Sequence, residues 1–137
     1  MPGAERTLFA YGTLMFAPVL RAVTGLERET CPARLDGYAR YAVRGQPWPA
    51  LVEETGAHTE GCLVLSLPAR AWPLLDAFEG DFYTRIAVTV RCADGTTCAA
   101  QTYLARPAAR TRLSPRPWSP VEFRRRHLAR YLAAWRR

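Results

Sequence analysis

The chain has 137 residues, a length typical of one domain with a single core, and 49% of its residues are apolar. No stretch approaches the roughly twenty consecutive apolar residues of a membrane helix, and residues 1–6 lack the features of a secretory signal. The net charge is +7, and all nineteen basic residues are arginines. These properties predict a soluble, cytoplasmic protein that makes no contact with a membrane.

The first predicted elements flank a glycine. Residues 6–12 form a short apolar strand that ends at Gly12. Pro18 and Gly25 bracket a short helix, because proline is tolerated in the first turn and glycine favours the C-terminal cap. An extended stretch with partial alternation of apolar and polar residues follows over residues 31–51.

The residue patterns in the middle of the chain predict one strand and one helix. Residues 59–66 are apolar and partly branched, which favours a strand. Residues 67–79 have a helical pattern that includes Pro73. Because proline lacks the amide that a helix interior requires, we expect the regular helix to begin near residues 69–72.

A hairpin is the clearest pattern. Residues 86–92 and 97–104 read as its strands, and the Asp-Gly pair at 94–95 suits a turn with positive φ. Cys92 and Cys98 flank this turn and would face each other across a loop of three residues. Disulfides and CxxC metal sites are not expected, so we interpret all four cysteines as small apolar residues: Cys31, Cys62, Cys92 and Cys98.

The basic charge belongs to the C-terminal part. Residues 106–137 hold ten arginines and one acid, whereas residues 1–105 carry a slight excess of acids. Residues 107–117 are rich in Pro and Arg and predict an irregular connector. Residues 119–122 form a capping box that starts a final helix. Its apolar stripe comprises Val121, Leu128, Leu132 and Trp135.

An arginine-rich tail attracts nucleic acid without sequence preference. The complete absence of lysine is typical of genome composition rather than of phosphate recognition. We therefore expect a solvated basic face and no nucleic-acid partner. Several short strands with short helices between them favour the α+β class over alternating βαβ units. The prediction is a single domain over residues 1–137, with a body at about 7–105 and a connector and helix at 106–137.

Tyr11-Gly12-Thr13-Leu14 is the first motif with chemical meaning. A strand that stops at glycine lets successive backbone N–H groups converge on one point, an arrangement that favours a carboxylate or phosphate. The hydroxyls of Tyr11 and Thr13 can add contacts. The glycine pattern and lysine of a P-loop are missing, and an ordinary turn is the alternative interpretation. With no Lys or Arg beside Tyr11, the site would depend on neutral donors.

Glu79 is the second motif, between Phe78 and Gly80 at a predicted helix end. The negative end of the helix dipole and an apolar neighbour both destabilise a carboxylate. Its pKa should therefore be raised, as a group that transfers protons requires. The alternative is that Arg85 pairs with solvated acids at a helix end, namely Asp76, Glu79 and Asp81.

Further motifs occur in a fixed order between these two and after them. They are Tyr-x5-Pro-x-Pro-Ala-Leu at 41–51, Glu-Gly-x-Leu-Val at 60–64, Leu-Asp-x-Phe-Glu-Gly-x-x-Tyr-x-Arg at 75–85, and Tyr103 in a late strand. Together with residues 11–14, this order resembles the γ-glutamylcyclotransferase-like superfamily, in particular its short γ-glutamylamine cyclotransferase-like members. The resemblance covers residues 7–105, and the segment around Glu79 is its most specific part.

The resemblance implies a small barrel-like, largely antiparallel sheet with flanking short helices and, outside the resemblance, a C-terminal helix. It also implies that the residues from Tyr11 to Leu14 form an anion cavity and that Glu79 is catalytic. The expected reaction cyclises a γ-glutamyl amine or amide to 5-oxoproline and releases the amine, without metal or organic cofactor. Tyr83 and Tyr103 are possible donors to the oxyanion.

Two other functions stay open at this point. One is a noncatalytic domain of the same fold that binds a small carboxylate, and the other is a nucleic-acid-associated protein that acts through the arginine-rich tail. The sequence does not determine which amine is released or the oligomeric state.

Overall fold

Five strands close into a barrel in the computed structural model, which describes residues 4–135. The barrel order is β1-β5-β4-β2-β3, with β3 pairing again with β1. All pairs are antiparallel except β1 with β5. The strands are β1 (Leu8–Ala10), β2 (Thr30–Val43), β3 (Pro49–Val64), β4 (Tyr83–Cys92) and β5 (Thr97–Ala105).

Four helices flank the barrel: α1 (Ala17–Thr24), α2 (Ala71–Glu79), α3 (Pro120–Arg126) and α4 (Leu128–Trp135). A short 3-10 turn at Thr13–Met15 includes the end of the first motif, and another at Gly80–Phe82 follows Glu79 directly. The predicted α+β class with a barrel-like sheet is confirmed. Within the described residues no helix has the length and apolarity that a membrane span requires.

Several helix ends were predicted correctly from local sequence patterns. Gly25 caps α1 in the left-handed region at φ 75°. Helix α2 begins at Ala71, which keeps Pro73 in the first turn. The Oγ of Ser119 accepts from the backbone N–H of Glu122 at 3.2 Å, which is half of the predicted capping box.

The predicted hairpin is β4 and β5, joined through Gly95 at φ 89°. Cys92 and Cys98 lie beside each other with 3.9 Å between their Sγ atoms, and both are free thiols. Burial raises the pKa of Cys98 to about 11, which keeps it protonated. These two residues therefore occupy a half-buried apolar position on the sheet.

The prediction of an irregular connector at 107–117 is wrong. This segment is a 3-10 turn at Pro107–Arg112 followed by β6 (Leu113–Pro117), which pairs with the second half of β2. Strand β4 pairs with β2 only near Ala33 and Arg34, so the rest of that edge is open to a further strand. Proline is tolerated in such an edge strand but usually argues against a strand, so the Pro-rich sequence did not predict one here.

The predicted stripe of the final helix is only partly correct. The helix breaks at His127 into α3 and α4, so one periodic face does not run through both. Val121 is 65% exposed, whereas Phe123 is 1% exposed and packs on Phe16, the residue before α1, and on Tyr131 of α4. Leu128 and Leu132 pack against the core as expected, but Trp135, at 42% exposure, does not bury its ring fully.

Two apolar clusters hold the fold together. One fills the barrel and includes Phe9, Leu35 and Leu63, and the other fills the space between the barrel and the helices. A side chain at Gly61 would collide with the carbonyl oxygen of Ala10, so glycine allows β3 to approach β1 closely. Both clusters anchor β1 on its two sides, and this fixes the start of the loop that follows it.

Candidate active site

The loop after β1 and the end of α2 line the same cavity. All seven residues that the sequence singled out surround a narrow space of about 30 Å³: Tyr11, Gly12, Thr13, Leu14, Glu79, Tyr83 and Tyr103. A larger cavity of about 450 Å³ adjoins it and shares Thr13, Glu79 and Tyr83. The structure thus brings together two segments that lie far apart in the chain, while the roles of their residues stay predictions.

Two backbone N–H groups of the loop have no hydrogen-bond partner among residues 4–135. In its 3-10 turn, the N–H of Met15 donates to the carbonyl oxygen of Gly12 at 3.1 Å, and the N–H of Phe16 donates to the carbonyl oxygen of Thr13 at 3.1 Å. The N–H groups of Thr13 and Leu14 therefore take no part in the turn. Gly12 lies against Pro49, where a Cβ would be 3.0 Å from the proline ring. A larger residue at Gly12 would push the loop away from this wall.

An arginine supports the loop from behind. Arg40 donates from Nη1 to the carbonyl oxygen of Tyr11 at 2.8 Å and to that of Glu60 at 2.9 Å. Because C=O and N–H point in opposite directions in a trans peptide, the N–H of Gly12 points away from the guanidinium. Arg40 does not line the cavity, so the expectation of neutral donors there stays a prediction, while β2 adds a cation behind the loop from a distant part of the sequence.

Glu79 is the last residue of α2, is half-buried, and lines both cavities. Burial raises its pKa to about 8, and the negative charge of Asp76 contributes a smaller part. Among residues 4–135, Glu79 has no ion-pair partner. The apolar surroundings expected from the sequence are therefore the main cause of the shift, and the carboxyl group can change protonation state near neutral pH.

Asp76 is the acid that Arg85 neutralises. The Nε of Arg85 lies 3.2 Å from Oδ1 of Asp76, and the hydroxyl of Tyr103 donates to the same oxygen at 2.7 Å. The guanidinium also lies 4.6 Å from the ring centroid of Trp72. The interpretation of solvated acids with an arginine partner thus describes Asp76, and it does not describe Glu79.

Tyrosine hydroxyls brace the cavity rather than point into it as free donors. Tyr11 donates to the carbonyl of Tyr103 at 2.6 Å, and Tyr83 donates to the carbonyl of Pro49 at 2.6 Å. Burial raises the pKa of Tyr11, Tyr83 and Tyr103, so all three stay protonated. The suggested oxyanion donors Tyr83 and Tyr103 already use their protons elsewhere, and the structure gives no support to that role.

The sequence interpretation missed the contribution of the tail. The hydroxyl of Tyr131 in α4 lies 3.5 Å from Oγ1 of Thr13, and its ring lies 6.4 Å from that of Trp48. Trp135 packs on Phe78 with 5.1 Å between ring centroids. The available signal was a pair of aromatic residues four apart on a predicted helix, which places both on one face. The many arginines around these residues favoured the interpretation of a solvated basic face instead.

Family comparison gives this site a context. The model of the family described as gamma-glutamyl cyclotransferase, AIG2-like, matches residues 8–120. The chain belongs to this family. The match includes the loop after β1 and Glu79, and it ends before α4.

Two AIG2 proteins of Arabidopsis thaliana show the extent of the likeness. Protein AIG2 C is 27% identical over 101 residues, which is 73% of this chain and 61% of that protein. AIG2-like protein D is 27% identical over 96 residues, which is 70% of this chain and 63% of that protein. The likeness therefore spans about three fifths of the length of these AIG2 relatives.

Solved structures share the fold of this AIG2-like chain. A protein of Arabidopsis thaliana solved in solution aligns with a TM-score of 0.72 at 23% identity, covering 95% of this chain and 87% of that one. A structure named gamma-glutamyl cyclotransferase aligns at 0.67 and 17% identity, covering 96% and 86%. A yeast gamma-glutamyl cyclotransferase specific to glutathione aligns at 0.62 and 14% identity, covering 95% and 93%.

Proposed function

We propose that this AIG2-like chain is a cyclotransferase that converts a γ-glutamyl amine into 5-oxoproline and the free amine. One observation carries the proposal. A buried carboxyl group with a pKa of about 8 lies in the same narrow cavity as a turn with unpaired backbone N–H groups. Membership of the gamma-glutamyl cyclotransferase, AIG2-like family supports it.

The turn at residues 12–14 binds the α-carboxylate of the substrate. The N–H groups of Thr13 and Leu14 are free to donate to its oxygens, and the Arg40 cation behind the loop adds favourable charge. The substrate's own α-amine is the nucleophile and its γ-carbonyl is the electrophile. Holding the molecule folded gives these groups a high effective molarity, so no nucleophile of the protein is needed.

Glu79 transfers the protons. Its carboxylate takes a proton from the α-ammonium group, and the freed amine forms a bond to the γ-carbonyl carbon. The ring nitrogen of the resulting tetrahedral intermediate releases its second proton to solvent, and the intermediate collapses when the γ-carbon–nitrogen bond to the leaving amine breaks and Glu79 returns its proton to that nitrogen. The products are 5-oxoproline and the amine. With a pKa of about 8, Glu79 populates both forms near neutral pH, as this exchange requires.

The test is the release of 5-oxoproline from a panel of γ-glutamyl amines and amino acids. We expect Glu79→Gln to lower kcat by roughly 10²- to 10⁴-fold, because general acid–base catalysis contributes about that much. Glu53→Gln, which changes an exposed acid on β3, is the matched control and should retain wild-type activity. Circular dichroism and thermal unfolding verify that both variants fold.

The pH dependence gives a second measurement. Since the carboxylate is the active form for the first step, kcat/KM should rise as pH increases toward about 8. A wild-type protein that binds γ-glutamyl compounds without turnover, with affinity unchanged by Glu79→Gln, would contradict the proposal. That result would establish the noncatalytic carboxylate-binding domain instead.

A further inference from the structure

The larger cavity beside Glu79 is lined mainly by aromatic rings. Its volume is about 450 Å³, within the usual range for small-molecule sites. It begins where the narrow cavity ends, since both share Thr13, Glu79 and Tyr83. The aromatic residues on its walls are Trp48, Phe78, Phe82, Tyr83, Tyr131 and Trp135.

The charges around this cavity are few. Among the described residues, its lining includes one acid, Glu79, and one base, Arg112. The guanidinium of Arg112 lies 5.4 Å from the ring centroid of Phe82. A second cation bound here would meet the positive charge of Arg112 and would find only the reacting carboxyl group as a counter-charge. The cavity chemistry therefore favours an uncharged aromatic group over an aliphatic diamine.

Helix α4 completes the cavity. Tyr131, Ala134 and Trp135 form its outer wall, and the ring contacts with Trp48 and Phe78 hold this wall in place. Trp135 is 42% exposed, so an occupant of the cavity can still cover more of the indole. This helix lies beyond the part of the chain that matches the family.

Building on the proposed function, we propose that this cavity binds the departing amine and selects γ-glutamyl conjugates of amines that carry an aromatic ring. Tyr131 and Trp135 are then specificity-determining residues. The leaving nitrogen must lie beside Glu79 to receive its proton, so the remainder of the amine extends into the adjoining space. A ring buried among these side chains gains apolar contact and offset aromatic packing, which a short alkyl group cannot supply.

The experiment compares kcat/KM for three conjugates that differ only in the amine: γ-glutamyl-phenethylamine, γ-glutamyl-ethylamine and γ-glutamyl-cadaverine. We expect the phenethylamine conjugate to exceed the ethylamine conjugate by about 10- to 100-fold, in line with discrimination by apolar pockets. Equal values for these two, or a preference for the cationic cadaverine conjugate, would overturn the inference.

Variants of α4 locate the source of the preference. Tyr131→Ala and Trp135→Ala should each reduce the preference at least about fivefold, mainly through KM for the aromatic conjugate, because they remove uniform binding. Both should lower kcat/KM for γ-glutamyl-ethylamine much less than kcat/KM for the phenethylamine conjugate, because the ethyl group makes little contact with these rings. Tyr131→Phe keeps the ring and should retain the preference. Val121→Ala, at a 65% exposed position on α3, is the matched control. A preference that survives both alanine variants would rule out α4 as its source.

Binding measurements separate this inference from the proposed function. Calorimetry with Glu79→Gln reports affinity for the phenethylamine and ethylamine conjugates whether or not turnover occurs. Tighter binding of the aromatic conjugate without release of 5-oxoproline by the wild type would keep the selectivity and refute the cyclotransferase. Turnover of all three conjugates at equal kcat/KM would support the cyclotransferase and refute the selectivity for aromatic amines.

Discussion

The two sides of the Glu79 cavity are built differently. The inner side comes from the barrel and α2, and hydrogen bonds of 2.6–2.7 Å connect Tyr11, Tyr83 and Tyr103 to fixed acceptors. The outer side carries several aromatic rings, and the hydroxyl of Tyr131 lies 3.5 Å from Oγ1 of Thr13 in the loop. The side chains on the inner side are thus held by short hydrogen bonds, whereas the proposed surface for the amine belongs to a helix outside the barrel.

The two sides also differ in how they are anchored. The inner side continues into both apolar clusters, since β1 lies between β3 and β5. The outer side depends largely on Phe123 of α3, which is 1% exposed and contacts the rings of Phe16, Trp118 and Tyr131. Loss of this one side chain should therefore affect the outer side first.

The largest effect on stability is expected for Phe123→Ala. Removing a fully buried phenylalanine leaves a cavity and typically costs about 3–5 kcal/mol in the free energy of unfolding. Denaturant unfolding measures this change. Val121→Ala changes a side chain that is 65% exposed on the same helix, and it should change stability by less than about 0.5 kcal/mol. Similar values for the two variants would show that α3 does not anchor the outer side.

Glu79→Gln should have an intermediate effect, and it should raise the free energy of unfolding rather than lower it. The pKa of Glu79 is about 8 in the folded protein and near 4.5 in the unfolded chain. Between these values the folded state binds more protons, so the wild-type free energy of unfolding falls as pH rises from about 4.5 to about 8. The glutamine variant lacks this loss and should gain stability relative to wild type across that range, with the gain growing toward its upper end.

Thermal unfolding of both proteins across this pH range is the measurement. Groups common to the two proteins cancel in the difference, which isolates the contribution of residue 79. A difference that stays constant with pH would mean that the carboxyl group is solvated and that the inner side is less enclosed than the structure indicates.

The smallest effect is expected for Asp76→Asn, which probes the inner side alone. Removing the neighbouring negative charge should lower the pKa of Glu79. The rise of kcat/KM with pH should then move to lower pH. Asp81→Asn changes an exposed acid close to the same helix end and should leave the profile in place. Identical profiles for the two variants would exclude a direct effect of Asp76 on Glu79.

Local sequence patterns predicted much of the fold. Gly25 and Pro73 fixed helix ends because their effects act within one turn of backbone. The hairpin at β4 and β5 was clear for the same reason. Strand β6 was missed, because its stability comes from the free edge of β2 and not from its own Pro- and Arg-rich sequence.

The inner side of the site was also predictable in outline. The residues at 11–14 and Glu79 stood out through the order of motifs, and the structure places them around one cavity. The hydroxyl partners of Tyr83 and Tyr103 could not be predicted, since Pro49 and Asp76 reach them only through tertiary packing. Arg40 was missed because it approaches Tyr11 across strands.

The α+β class, the glycine-terminated loop and the acid at a helix end could be predicted from the sequence, since each depends on neighbouring residues. The position of α4 could not, although its residues Tyr131 and Trp135 line the outer side of the cavity beside Glu79. The physical reason is that Tyr131 and Trp135 gain their role from Trp48 and Phe78, which lie on distant segments, and local periodicity carries no information about such partners.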